Sequence, residues 1–141
     1  MLKLARNLEA EIRSAGESAY PNECCGILLG TVDGQGGKTV RALRPIVNSR
    51  EQEEQHHRFL ITEDEMVLAE MEAGKRHLDI VGFYHSHPDH PAEPSGYDRD
   101  HALPFYSYVI LSVKNRKAEL LASWLLENSR AKFNREPVEI I

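Results

Sequence analysis

Apolar and polar positions follow two rhythms along the chain. Leu4, Leu8, Ile12 and Ala15 recur at three-to-four spacing, with Glu11 and other charges between them. This predicts an amphipathic helix over residues 2–19, broken by Pro21-Asn22. Cys24 to Val32 is then a nearly continuous apolar run, short enough for a buried strand, ending in Asp33-Gly34-Gln35-Gly36-Gly37. A turn so rich in glycine also suits a phosphate loop. No Gly-Lys-Ser/Thr ending or helix follows, so a hairpin is the better reading. Thr39 to Val47 pairs back, with Pro45 marking a sheet edge or strand end. Residues 48–58 are polar and acidic and read as an exposed loop, and Phe59-Leu60-Ile61 as a brief strand. Thr62 suits a helix N-cap, Glu65 completes a capping box, and the helix runs to about Gly74.

The second half carries more strands. Asp79 to Ser86 has a buried-strand pattern, and Pro88, Pro91 and Pro94 stiffen the loop after it. Ser95 starts a short helix that Pro104 stops. Tyr106–Val113, Ala118–Glu127 and Phe133–Ile140 are further strands, the first two joined by a turn at 114–117. The order predicts an α/β (α+β) fold, one domain over 1–141 with helices packed on a mixed sheet.

Composition narrows the function. The 141 residues are 41% apolar and 28% charged, with a net charge of -5, which describes a folded chain. A mildly acidic surface excludes nucleic acid as the main partner, because phosphate recognition needs a basic face. No apolar run is long enough to span a bilayer, and the N-terminus has no signal-peptide pattern. Cys24 and Cys25 are adjacent and badly placed to pair. A reduced, cytoplasmic setting is therefore expected.

The candidate chemistry begins at His85-Ser86-His87, at a strand end. Residues two apart share a strand face, so Val81, Phe83, His85 and His87 should project together. For an isolated His-x-His, a hydrogen-bonded or solvated pair is the better account. The continuation changes this: Ser95 precedes the short helix and Asp98 falls at its third position. One reading is a capping box, worth about 1 kcal/mol. The other returns the Asp98 carboxylate to the strand end. Two histidines and one aspartate then leave a fourth position open, as in catalytic zinc sites. Glu23, at a strand entrance, reads locally as a surface residue, and Cys25 as a small buried hydrophobe. A Cys–His nucleophile built on Cys25 is disfavoured, since the metal reading already accounts for the histidines.

Glu23, His85-x-His87 and Ser95-x-x-Asp98 together resemble the signature of the JAMM (MPN-plus) metalloproteases, a distant Glu followed by His-[Ser/Thr]-His-x7-Ser-x2-Asp. Glu23-Cys24-Cys25-Gly26-Ile27-Leu28-Leu29-Gly30 and Ile80-Val81-Gly82-Phe83-Tyr84 resemble the family's flanking strands. The resemblance runs from about residue 3 to the C-terminus and is closest to the stand-alone prokaryotic branch. It implies a curved mixed sheet flanked by helices, with cytidine-deaminase-like layering. Cytidine-deaminase chemistry itself is disfavoured, because the His-x-Glu and Pro-Cys-x-x-Cys elements are missing. The resemblance further implies one zinc ion per chain, held by His85, His87 and Asp98. Glu23 would be the base on the zinc-bound water and Ser95 the partner of the carbonyl oxygen. The implied reaction is hydrolysis after the C-terminal Gly-Gly of a ubiquitin-like protein, of sulfur-carrier type for this branch. The alternatives are a deubiquitinase-like isopeptidase and a non-catalytic zinc module that binds such tails. The spacing assigns no role to His56, His57, His90 or Glu93, and no oligomeric state follows.

Overall fold

The computed structural model describes residues 1–47 and 61–141. In chain order the elements are β1 (Leu2–Leu4), α1 (Arg6–Ala19), β2 (Cys25–Val32), β3 (Lys38–Ile46), α2 (Glu63–Lys75), β4 (Asp79–Pro88), α3 (Gly96–His101), β5 (Ser107–Lys114), β6 (Lys117–Leu126), β7 (Phe133–Glu136) and β8 (Val138–Ile140). The strands form one eight-stranded sheet in the order β7-β6-β5-β4-β2-β3-β1-β8. β1 runs parallel to β3 and β8, and β4 parallel to β5, while the other pairs are antiparallel. The outermost strands, β7 and β8, are separated in sequence only by Pro137. One residue spans only about 3.5 Å, so the sheet curls until its two edges approach. This is the curved mixed sheet that the family resemblance implies.

Each face of the sheet has its own core. Leu8, Ile12 and Gly16, spaced at one helical turn, are the buried face of α1, and Leu28, Val40, Tyr84, Val109 and Leu111 belong to the same cluster as Leu8 and Ile12. A Cβ on Gly16 would lie 2.6 Å from Leu111 Cδ2, so glycine permits the close helix–sheet contact. On the opposite face Ala69 and Ala73 of α2 pack with Cys25, Ile27 and Leu29. Among the described residues no helix is long and apolar enough to cross a membrane.

Four local readings are corrected. Residues 2–4 are strand, not helix: Leu2 and Leu4 are buried and Lys3 between them exposed, a period of two set by pairing to β3 and β8. The last strand is split at Pro137, which separates β7 from β8 on opposite sheet edges. Val81 does not share the face of Phe83, His85 and His87. Leu28 pairs with Gly82 but Leu29 with Ile80, so Val81 is an extra residue in β4. This bulge turns its side chain into the α1 core. At α2, Thr62 Oγ1 accepts the Glu65 amide at 3.3 Å, but the Glu65 carboxylate pairs with Arg44 at 3.6 Å, leaving half of the expected capping box.

Pro45 lies in β3 beyond the stretch paired to β1, where β2 is its one strand neighbour among the described residues, in keeping with a strand-end proline. The turn after β5 is built on positive-φ Asn115 and Arg116, matching the hairpin expected at 114–117. The loop expected at 48–58, with His56 and His57, and the residues Phe59 and Leu60 lie outside the described residues. Ile61 belongs to no strand.

Candidate metal centre

The site is set by the crossover between β4 and β5. Parallel neighbours need a long connection, and residues 89–106 supply it at the C-terminal end of β4, carrying α3 back over that end. There His85 Nε2 and His87 Nε2 lie 3.0 Å apart. Asp98 Oδ1 is 3.4 Å from the first and Oδ2 is 3.2 Å from the second. All three side chains are recessed, with exposures of 2%, 10% and 9%.

Several bonds fix this triangle. His87 Nδ1 lies 2.9 Å from the Pro91 carbonyl oxygen. A carbonyl only accepts, so Nδ1 carries a proton and Nε2 is the nitrogen turned to the centre, where it gives its lone pair to a cation once its own proton has left. Asp98 is held by both halves of a capping box, with Asp98 N–H donating to Ser95 Oγ at 3.0 Å and Ser95 N–H to Asp98 Oδ2 at 2.9 Å. The capping and metal readings of Ser95 and Asp98 are therefore compatible: the cap aims the carboxylate.

Glu23, 5% exposed, completes the group. It offers a carboxylate oxygen, with His85 and His87 nitrogens, in a set lying within 4.8 Å of one another. Two backbone-directed bonds place it: Cys24 N–H donates to Ser86 Oγ at 2.9 Å and Ser86 N–H to the Cys24 carbonyl at 3.1 Å. Ser86, on the face opposite the histidines, thus pins the start of β2 beside the end of β4. The strand-entrance glutamate read as a surface residue from local sequence is buried at the centre.

The electrostatics match a cation site. Burial pushes the Glu23 carboxyl up to about 7, against the pull of His85 and His87. Burial would also raise Asp98, but the charge of His85 and hydrogen bonds from both histidines and the Ser95 amide hold it well below the usual carboxylate range. Burial lowers His87, yet Asp98 and the Pro91 carbonyl leave it raised overall. Converging lone pairs and a carboxylate at these separations are what a small divalent ion accommodates. Bonds of about 2.0–2.1 Å in a tetrahedron give ligand–ligand edges of roughly 3.3–3.4 Å, close to the Nε2–Oδ separations of 3.4 and 3.2 Å, while the two Nε2 atoms, 3.0 Å apart, would have to part slightly. The donor set fits a metal, with His85 and His87 joined by the Asp98 carboxylate on one side and the Glu23 carboxylate within 4.8 Å.

The family model for prokaryotic homologues of the JAB domain matches residues 5–127. The chain belongs to this family. It is the same JAMM group to which the motif pointed. Over 97 residues, 68% of its length, this JAB domain is 36% identical to the desampylase of Haloferax volcanii. The matched stretch is 66% of the desampylase, so the chain spans just under two thirds of that relative's length. The solution structure of a Salinibacter ruber protein is 40% identical, covering 99% of this chain and 91% of its own, with a TM-score of 0.77. That of a Desulfitobacterium hafniense protein covers 100% and 93% at 28% identity, with a TM-score of 0.86.

The JAB domain's centre opens into a cleft of about 330 Å³ whose lining includes Glu23, His87, His90, Glu93 and Ser95. His90 and Glu93, given no role by spacing, therefore border the site. Asp100 and His101 are exposed on α3, and His101 stacks on Tyr97 with centroids 4.1 Å apart. Cys25 stands opposite His85 in the β2–β4 ladder, but burial pushes its thiol up to about 12. At neutral pH it is a thiol contacting the Ile46 carbonyl at 3.6 Å, which argues against a cysteine nucleophile. The Pro91 carbonyl and Ser86 escaped the sequence reading. A backbone acceptor leaves no mark on residue identity, and the serine between the histidines gives no hint of its reach to Cys24.

Proposed function

We propose that this JAB domain is a zinc-dependent peptidase and isopeptidase that cleaves after the C-terminal Gly-Gly of a ubiquitin-like protein, of the sulfur-carrier type. The observation that carries the reading is the convergence of His85, His87 and Asp98 beside a buried glutamate, open to a cleft. The likeness to the Haloferax desampylase supports an isopeptidase acting on a ubiquitin-like tail. The recessed histidines favour a glycine pair at the scissile bond, because glycine brings no side chain to obstruct close approach of its carbonyl.

His85, His87 and Asp98 would hold one zinc ion. Zinc in such a site supplies a Lewis acid and lowers the pKa of its water to about 7. Glu23 takes the proton as water attacks the scissile carbonyl and delivers it to the departing amine nitrogen. A carboxyl near neutrality suits both transfers. Ser95 serves the carbonyl oxygen. Its Oγ accepts the Asp98 amide through a lone pair, which leaves its own hydroxyl proton to donate to the oxygen as charge develops.

The test is hydrolysis of ubiquitin-like protein fusions and lysine adducts by zinc-loaded protein, with Glu23→Gln as control. Release of the free Gly-Gly terminus by the wild type alone supports the reading. Retention of an uncut tail by both proteins would instead identify a binding module.

A further inference from the structure

A second cleft, of about 340 Å³, adjoins the first and shares Glu93, Pro94 and Ser95 with it. It is separated by α3 from an apolar hollow. Tyr97 and His101 line the hollow, whereas Gly96 and Arg99 line the cleft. At about 100° per residue these pairs fall on opposite faces of the helix. The cleft and the hollow therefore lie on opposite sides of α3, and the cleft is the one that shares lining residues with the candidate centre.

The cleft is built from fixed parts. Trp124 lines it, with its indole N–H donating to the Ala92 carbonyl at 3.0 Å and the Arg135 guanidinium 5.5 Å from its ring centroid. Phe133 beside it meets Tyr108 edge-on, with centroids 5.8 Å apart. The β6–β7 connection is tied to α3 by Arg130, which donates to the Ala102 carbonyl at 2.8 Å and the Arg99 carbonyl at 3.4 Å. Two cations, Arg99 and Lys132, also line the cleft. Both are exposed, and among the described residues neither side chain has an ion-pair or hydrogen-bond partner. In a chain of net charge -5, two unpartnered cations against the one carboxylate of Glu93 make this aromatic cleft a local reversal of sign.

We infer that this cleft holds the segment bearing the amine released by cleavage, and that Arg99 and Lys132 select an acidic residue near the modified lysine. The inference rests on the isopeptidase reading. Arginine presents a planar fork matched to a carboxylate, Lys132 adds a second positive charge, and the Trp124 ring takes the methylenes of an extended chain. A basic segment would meet two cations against the single carboxylate of Glu93 and be disfavoured.

Trp124 is the one tryptophan in the chain, so its fluorescence reports occupancy of the cleft without any hydrolysis. Two peptides are titrated into zinc-loaded protein. Each carries Gly-Gly on the ε-amine of a central lysine, one flanked by Asp and Glu and the other by Lys and Arg. The acidic peptide should bind at least about fivefold more tightly, the size expected from exposed charge pairs. The order should invert in Arg99→Glu/Lys132→Glu. Equal affinities, an absent response, or an unchanged order in the double variant would overturn the proposal. Failure to cleave any ubiquitin-like adduct would refute the isopeptidase reading separately, since the titration does not depend on turnover.

Discussion

Replacing Ser95 by alanine removes one oxygen that the fold uses as an acceptor and the proposed chemistry uses as a donor. The fold loses the acceptor for the Asp98 amide at the start of a six-residue helix. Loss of such a cap costs about 1 kcal/mol, which for a domain of this size lowers the melting temperature by roughly 2–5 °C. The other half of the box survives, because it is the Ser95 backbone N–H that donates to Asp98 Oδ2. Alanine keeps that bond, so Asp98 stays aimed and zinc content should remain near one per chain. The chemistry loses an oxyanion donor, which typically costs about 10²–10³ in kcat, or roughly 3–4 kcal/mol. The catalytic loss should therefore exceed the folding loss about threefold in free energy, with KM little changed, since the hydroxyl acts mainly on charge formed in the transition state. Ser95→Thr, which retains the hydroxyl and the cap, should recover much of both. The assay is a melting curve beside steady-state kinetics on a Gly-Gly fusion, with zinc measured in each protein. A lowered melting temperature with kcat within about twofold of wild type would show that Ser95 is structural alone.

His85→Ala/His87→Ala should bind less than about a tenth of the wild-type zinc by elemental analysis, and full occupancy would remove these residues from the ligand set. Glu23→Gln should retain zinc yet lose about 10²-fold or more in kcat; near wild-type turnover would exclude Glu23 as the base. The same substitution has a pH signature in chelator-treated protein. Burial raises the Glu23 carboxyl from its ordinary 4.5 to about 7, so its contribution is fully present below pH 4.5 and lost as pH rises through 7, by at most about 3 kcal/mol. Wild-type melting temperature should thus fall more between pH 5 and 8 than that of Glu23→Gln, and parallel profiles would count against a buried, ionising Glu23. Gly26→Ala would place a Cβ 2.2 Å from the ring of Tyr84, itself only 1% exposed; overpacking of this kind should cost about 2–3 kcal/mol, and an unchanged melting temperature would contradict the packing.

Features whose physics is local were legible in the residues. Thr62 as an N-cap, Ser95 and Asp98 as a capping box, and the turns at 33–37 and 114–117 each depend on neighbours a few positions apart. The alternation of a strand was enough to put His85 and His87 on one face, and motif spacing brought Asp98 and Glu23 into consideration. Local sequence left Asp98 with two open readings and put Glu23 at the surface, because Asp98 is returned by a crossover and Glu23 is buried through Ser86. Distant partners decided the rest. Leu2-Lys3-Leu4 is too short to state its own period, and it is a strand because β3 and β8 flank it from far along the chain. Val81 leaves its expected face because β2 and β4 pair with one residue to spare, a property of two strands together. The tautomer of His87 depends on the Pro91 carbonyl, which every residue type possesses. The charge of the second cleft depends on bringing Arg99 and Lys132 together beside Trp124, from separate elements with no shared pattern. Turn chemistry and periodicity are written along the chain, whereas burial, register and the sign of a cleft are set by contacts between segments far apart in it.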